Sequence, residues 1–499
     1  MKKLLLGSAA VAVGAIVFSS PAFAQGLNLG IQGHTKLYTG WLDQDTTADS
    51  QFDERGGIAA VDNTSEDERS FDILRETEVH FTGETTLDNG LSVGVHIEAD
   101  IDGATGENFS TEEAYAFFSG AWGRVNFGRE DGAGYLLQVA APSADSNIDG
   151  IRQYVQPVNY SIMGHYDSVR DLPAIGGVPQ NNFHDISAKS LFTGINANTG
   201  ARFQADDLFI DLDNDELGSG LALVAGTIAA TAADVGDIRL GDGGAALLTN
   251  GAPALFSFDY DMAVSGTSNK LTYLTPVFNG FQLGASYTPE IGNSRDFLTG
   301  NNDDDSYMEY GDVWEIAARY EGQFDQVGIT LGAGYVHAEL ESSNDNTGGG
   351  VNDDDDSLFY QDVNGNGTFE AATDRVLARF DDREAWNVGI DLDWGPFGLG
   401  AAYTEDNMGA TGGLDRETWV VGLDYTTGPF KLGASYLNTD QEVATMEIET
   451  DRWTGGVVYT YGPGMTFRGS ISYIEHEGFA GDVGDTDATS VLLGTQINF

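Results

Sequence analysis

The sequence predicts an all-β protein whose strands close into a sixteen-stranded antiparallel barrel that spans a membrane. Three observations predict this fold. Apolar and polar side chains alternate along most of the chain, short turns alternate with long polar connections, and the chain ends on an aromatic residue. A single barrel strand carries a weak signal, so the prediction depends on the repetition of the pattern.

The C-terminal stretch, residues 488–499, has one mostly apolar face that includes Leu493, Ile497 and Phe499. In a soluble protein it would be an unprotected sheet edge, whereas in a closed barrel it pairs on both sides and its apolar face meets lipid. The first alternating stretch, residues 27–43, has the same pattern, with Lys36 on the polar face. We expect these two stretches to close the sheet.

Seven hairpins lie between these two stretches, each with a short turn inside it and a long polar loop after it. With the first and last stretches they give sixteen strands, and an even count is typical of single-chain outer-membrane barrels. The predicted pairs are 71–87 with 91–100, 113–120 with 124–129, 270–275 with 281–289, 313–322 with 327–340, 385–393 with 397–404, 418–426 with 430–438, and 452–461 with 466–476.

The N-terminus has the three parts of a cleaved secretory signal: Lys2 and Lys3, an apolar run over residues 4–18, and small residues that end at Ala24. We predict a signal peptide over residues 1–24 and a mature barrel over residues 25–499. The apolar run is too short for a membrane-spanning helix, which needs about twenty residues.

The chain is strongly acidic, with 23 Lys and Arg against 78 Asp and Glu and a net charge of −55. This charge makes nucleic acid an improbable partner. The absence of cysteine excludes disulfides and cysteine-based metal or redox sites.

Trp and Tyr residues lie near the predicted strand ends on the apolar face, where aromatic girdles meet the two membrane interfaces. The alternative fold is a soluble all-β repeat protein such as a propeller. That fold needs a second packed face, but here the opposite face carries small, polar and charged side chains.

Three stretches are similar to a known family: residues 121–132 (AWGRVNFGREDG), residues 269–289 (NKLTYLTPVFNGFQLGASYTP) and the terminal strand. They resemble the general diffusion porins of Gram-negative bacteria, and most closely the alphaproteobacterial type. The resemblance implies a homotrimer in the outer membrane, in contact with lipid and lipopolysaccharide, that passes small hydrophilic solutes and ions. It also implies that Phe499 is the signal read by the barrel-assembly machinery.

The connection over residues 130–268 is far longer than an ordinary loop, and by its order it is the third external loop. The resemblance implies that its first part folds into the barrel and narrows the pore. The loop expansion over 171–261 has no predicted structure. The candidate constriction residues are Glu130, Asp131, Asp145, Asp149 and Arg152.

Basic side chains on the inward faces of the strands are candidates for the pore wall. Each could instead form an ion pair with a neighbouring strand. Arg75 faces outward unless a bulge intervenes. Because inward acidic residues outnumber the bases, we expect preference for cations. The candidates are Lys36, Arg75, Arg124, Lys270, Arg319, Lys431, Arg452 and Arg468.

Two loop stretches have the oxygen-ligand spacing of calcium loops, one in the third loop and one in the acidic fifth external loop, residues 341–384. The second lacks the glutamate expected at its twelfth position, where Thr373 stands, so a solvated acidic loop remains the alternative. The channel itself requires no cofactor. The candidate calcium ligands are Asp211, Asp213, Asp215, Asp362, Asn364 and Asn366.

Two other functions compete with a general pore. A barrel enzyme would need histidine paired with serine or aspartate, but the seven histidines are scattered without such a motif. A substrate-specific channel for a sugar or peptide could use the third-loop aromatic residues Tyr135, Tyr154, Tyr160 and Tyr166.

Overall fold

Sixteen of the strands in the computed structural model form one closed antiparallel barrel. The structure describes residues 28–44, 70–101, 110–142, 209–210, 237–240, 260–291, 310–340, 358–362, 375–379, 381–409, 415–443, 446–477 and 486–499. The predicted signal peptide and most of the expansion over 171–261 lie outside these ranges. No helix within these ranges has the length and hydropathy needed to cross a bilayer.

The barrel strands follow one another around the sheet in chain order, and the predicted hairpins are all present. Their bounds are β1 Asn28–Gln44, β2 Phe71–Thr86, β3 Ser92–Asp100, β4 Ser110–Gly120, β5 Gly123–Arg129, β8 Asn269–Leu274, β9 Phe281–Glu290, β10 Tyr310–Phe324, β11 Val327–Leu340, β14 Arg383–Trp394, β15 Phe397–Asp406, β16 Arg416–Thr427, β17 Phe430–Val443, β18 Met446–Gly462, β19 Met465–Glu477 and β20 Thr486–Asn498.

The first and last strands close the barrel, as the sequence predicts. β1 pairs with β20 from His34 opposite Asn498 to Gln44 opposite Ala488. The backbone amide of Phe499 then donates to the carbonyl of Gly33 at 3.0 Å. The C-terminal stretch is therefore paired on both sides, and Phe499 keeps its ring on the exposed outer surface.

Side-chain exposure assigns the two faces of the sheet. On β1 the outward residues Leu29 and Ile31 are 78% and 69% exposed, whereas the inward Lys36 is 2% exposed.

Exposed aromatic rings form two bands along the outer face. Trp386, Tyr403 and Trp419 contact one another near the long loops. Trp394, Phe397 and Tyr425 do so near the short turns. This is the arrangement expected of girdles at two interfaces.

Arg75 lies on the outer face, so its assignment to the pore wall is wrong. The pairing of β1 with β2 runs without a bulge from Asn28 to Trp41 and places Arg75 opposite Leu37. Leu37 is an exposed outward residue, and Arg75 shares its side of the sheet. The strict alternation along β2 leaves no bulge that would turn Arg75 inward.

The short turns use residues that tolerate positive backbone φ angles, as two-residue hairpin loops require. Gly395 and Gly428 have φ angles of 60° and 57°, and Asp325 occupies the same region at 55°. These turns lie at the barrel end that also holds Phe499, opposite the long loops.

A second sheet forms between the two longest loops from four strands: β6 Phe209–Ile210, β7 Asp237–Leu240, β12 Leu358–Asp362 and β13 Arg375–Arg379. Their order in the sheet is β13, β12, β7, β6. The pairing of β7 with β12 joins the third loop to the fifth. Part of the expansion therefore forms strands, which the sequence did not predict.

Candidate functional site

The first part of the third loop lies against the inner wall of the barrel. Residues 130–142 follow β5 and are called the inner loop segment below. They contain one short helix, α1, Ala133–Leu136. The backbone amide of Ala133 donates to the Ser286 hydroxyl on β9 at 2.8 Å, and Ser286 is an inward residue. This part of the loop is therefore folded inward, as the resemblance to general porins implies.

A row of inward-facing glycines receives the inner loop segment. A β-carbon on Gly332 would lie 2.7 Å from Val139 Cγ2, and one on Gly400 would lie 3.0 Å from Pro142 Cδ. A β-carbon on Gly389 would overlap the carbonyl oxygen of Val139. The segment can reach the wall only because these positions lack side chains. The row, called the glycine track below, consists of Gly284, Gly332, Gly389, Gly400 and Gly422.

The returning end of the third loop fixes the segment in place. Gln138 donates from Nε2 to the carbonyl of Tyr260 at 2.9 Å and accepts from the amide of Met262 at 2.8 Å. Thr404 on β15 also donates to the Tyr260 carbonyl, at 3.0 Å. The two ends of the long loop thus pair inside the barrel. Ala141 and Tyr260 then pack on a buried apolar cluster from the inner wall that contains Leu42, Ala402, Val420, Leu437, Ile474 and Ala488.

Two ionisable residues on the inner wall, Glu315 and the predicted wall residue Lys270, hold the loop instead of facing an open pore. Glu315 is 1% exposed and accepts hydrogen bonds from the Gly134 amide at 2.9 Å and from the Ser265 hydroxyl. Lys270 is also buried and donates to the backbone carbonyls of Glu130 and Gly266. The pore-wall role expected for Lys270 is therefore corrected to that of a loop anchor.

The other predicted wall cations have local partners. Lys36 forms a 2.6 Å ion pair with Glu76, and Lys431 forms one with Asp424 at 3.2 Å. Arg452 is 1% exposed, so it lies on the inward face but away from open solvent. The remaining contacts are Arg124 Nε to Asn126 at 2.6 Å, Arg319 Nη1 to the Gln138 carbonyl at 3.2 Å and Nε to Glu321 at 2.8 Å, and Arg468 Nε to Thr466 at 3.0 Å.

The candidate carboxylates at the start of the loop lie against the wall near β4 and β5. Glu130 is 2% exposed and accepts a hydrogen bond from the Asn126 amide. Its burial raises its pKa to about 7, although the charge of Arg124 opposes that shift. The backbone amide of Asp131 donates to Glu113 at 3.4 Å. Asp145, Asp149 and Arg152 lie outside the described residues.

The structure brings together three histidines that the sequence showed only as scattered. His34, His80 and His96 lie on the inward faces of β1, β2 and β3, with ring centroids 6.5 Å and 5.5 Å apart in succession. Glutamates from the same strands lie between them. The alternation places each histidine inward, but their adjacency depends on strand register, which a single sequence does not show.

The calcium prediction falls almost entirely outside the described residues. Asp362 ends β12, and its side chain is not among those described. Asp211, Asp213, Asp215, Asn364 and Asn366 lie outside the described ranges. Calcium binding in these loops stays a prediction.

A sequence model of the Gram-negative porin family matches residues 8–178 and 185–478. The chain belongs to this family. The protein is accordingly an outer-membrane porin, a channel for passive diffusion, and the polar inner wall and the inward loop are the parts that line and narrow its path.

Solved porin structures are similar to this porin at low sequence identity. The anion-selective porin from Comamonas acidovorans is 13% identical, with 95% of this chain and 100% of that chain covered at a TM-score of 0.45. OmpT from Vibrio cholerae, in a trimer form, is 12% identical, with 95% and 99% covered at 0.43. A mutant of the Rh. blastica porin is 13% identical, with 94% and 100% covered at 0.41. A search of curated proteins found no match.

Proposed function

We propose that this porin conducts small cations in preference to anions. The observation that supports the proposal is a surplus of carboxylates on the inner wall near the short turns. Asp391 and Asp393 on β14 and Asp424 on β16 share this part of the wall, and Lys431 forms an ion pair with Asp424. We call these three aspartates the turn-side acidic patch.

The geometry of the patch favours an electrostatic role in the channel. Asp391 lies opposite Gly400, and Asp393 and Asp424 both lie opposite Gly398, so glycines separate the three carboxylates across neighbouring strands. Lys431 is 41% exposed and pairs with one of the three. The patch thus keeps net negative charge at one mouth of the barrel, where charge raises the local concentration of cations.

Reversal potentials in planar bilayers under a KCl gradient test this proposal. We expect wild-type porin to prefer K⁺. The triple variant D391N/D393N/D424N should lose about twofold in the K⁺ over Cl⁻ permeability ratio per carboxylate, because salt in a water-filled lumen screens the effect of each partly buried charge to a few tenths of a kcal/mol. The matched control is D88N/D325N, which removes two charges from exposed turns outside the lumen. A wild-type preference for Cl⁻, or an unchanged ratio in the triple variant, would contradict the proposal.

We further propose that the porin is a homotrimer with β20, β1 and β2 at the subunit contact. These strands carry a polar patch on the outer face: Thr35 lies opposite Thr77, and Leu37 lies between Arg75 and Thr495. An arginine facing lipid costs about 2–4 kcal/mol near the bilayer midplane. Cyclic association would cover the patch with identical protein surface, and the related OmpT from Vibrio cholerae was solved in a trimer form.

Native mass spectrometry of detergent-solubilised protein tests the trimer. We expect the wild type to be trimeric and R75L to shift toward monomer, because leucine removes the polar contact and tolerates lipid. R75K keeps the charge and serves as the matched control. A trimer of unchanged stability in R75L would place the subunit contact on another face.

A further inference from the structure

A cluster of imidazole and carboxylate groups lines the inner wall of β1–β4, and passive diffusion does not require it. It lies beside the start of the third loop, because Glu113 contacts both His96 and the amide of Asp131. Its central histidine, His80, faces carboxylates on both sides. The strands fix these positions through the barrel register, so the groups lie on a rigid support.

We propose that His80, His96 and Glu98 bind one divalent transition-metal ion at the lumen wall. Glu98 Oε2 lies 3.1 Å from His80 Nδ1 and 3.4 Å from His96 Nε2, and one atom from each residue falls within 4.8 Å of the others. Metal–ligand bonds of about 2.0–2.2 Å need only small side-chain movements from this arrangement.

The donor set favours a transition metal over calcium or magnesium. Two imidazoles and one carboxylate suit Zn²⁺ and its neighbours, whereas Mg²⁺ and Ca²⁺ prefer oxygen ligands. Partial exposure of the three side chains, between 9% and 18%, leaves room for water to complete the coordination. Zn²⁺ is therefore the ion to test first.

The neighbouring side chains orient both histidines for this role. His96 Nδ1 lies 3.4 Å from the Thr82 hydroxyl, which can accept its hydrogen and leave Nε2 as the ligand atom. His80 Nε2 contacts the Glu78 carboxylate, which leaves Nδ1 facing Glu98. Metal-bound histidines commonly donate their other ring hydrogen to such partners.

A second triad, His34 with Glu78 and His80, is the nearest alternative. Its imidazoles are farther apart, at 6.5 Å between ring centroids against 5.5 Å for His80 and His96. An ion bound by this second triad would also take Glu78 away from its contact with His80 Nε2. Without a metal ion, the same contacts would be ion pairs between protonated histidines and glutamates.

Isothermal titration of Zn²⁺ into folded, detergent-solubilised porin at pH 7.5 tests the site. We expect one ion per chain, bound at least about a hundredfold tighter than Mg²⁺. H96Q and E98Q should each lower the Zn²⁺ affinity by at least about tenfold, because each removes a ligand. The matched control is H337Q, since His337 is a partly exposed histidine that also lies near two carboxylates, Asp382 and Glu384, outside the cluster.

Two results would overturn the assignment: Zn²⁺ and Mg²⁺ binding with equal affinity, or H96Q binding Zn²⁺ like wild type. In the second case, a loss of affinity in H34Q would place the ion at the other triad. Electron paramagnetic resonance of bound Cu²⁺ gives a test on wild-type protein alone, independent of how the variants fold. Coupling to two imidazole nitrogens supports the site, and oxygen ligands alone contradict it.

A bound dication would also offset part of the negative wall. We expect micromolar Zn²⁺ to lower the K⁺ over Cl⁻ permeability ratio in wild type but not in H96Q. This effect rests on the proposed cation preference, whereas the calorimetric test does not, so the two proposals can fail separately.

Discussion

Replacing Gly389 with valine is expected to push the inner loop segment off the wall and lower the single-channel conductance. A side chain at this position would occupy the space of the Val139 carbonyl, because the glycine track is the part of the wall that the segment contacts. The loop must then move toward the channel axis, at an overpacking cost of about 1–3 kcal/mol. Single-channel recordings in planar bilayers measure both effects. A narrower pore lowers the conductance, and a loosely attached loop raises the frequency of brief closures.

The matched control is G30V on β1. Gly30 also lies on an inward-facing position of its strand, but a β-carbon there would meet its nearest neighbour, Thr82, only at 3.9 Å. We expect G30V to conduct like wild type. If G389V also conducts like wild type, the segment does not lie on the glycine track in the membrane.

Replacing Glu315 with leucine is expected to release the start of the third loop. The change leaves the Gly134 amide and the Ser265 hydroxyl without their acceptor. A buried donor left without its acceptor costs about 1–3 kcal/mol. In hydrogen-exchange measurements, the backbone amides of residues 133–137 should exchange at least about a hundredfold faster than in wild type, because the released segment opens more often.

E315Q is the matched control, because glutamine keeps the shape and one acceptor. It should raise the exchange rate of the same amides by a smaller factor, and the amides of β17 and β18 should exchange at wild-type rates in both variants. Uniform acceleration across the barrel in E315L would instead indicate a global loss of stability. Unchanged exchange in residues 133–137 would show that Glu315 does not anchor the loop.

Local alternation was sufficient to predict most of the barrel. The bounds predicted for β11, residues 327–340, are those observed, because a turn and a polar loop mark its two ends. The strand predicted over 452–461 begins earlier, at Met446. Its added residues end in the polar run Glu449, Thr450 and Asp451, which interrupts the alternation of apolar and polar side chains between Ile448 and Trp453.

The site was less predictable, because its contacts join distant parts of the chain. The inward position of Lys270 followed from alternation, but its role as a loop anchor, like that of Glu315, depends on where the third loop packs. The glycine track gave no sequence signal, since glycine is common in barrel strands and turns. The cluster of His80, His96 and Glu98 likewise appears only when β2 and β3 are set in register.

A disulfide between A133C and G284C tests most directly whether the third loop is held inside the barrel. A β-carbon on Gly284 would lie 3.2 Å from that of Ala133, close to the roughly 3.5–4.5 Å of a disulfide, and the chain has no other cysteine. After mild oxidation of the folded porin, mass spectrometry of non-reduced peptides should find this cross-link, while the control pair A133C/S490C, across the barrel, stays reduced. Two free thiols at positions 133 and 284 would contradict an inward-folded loop.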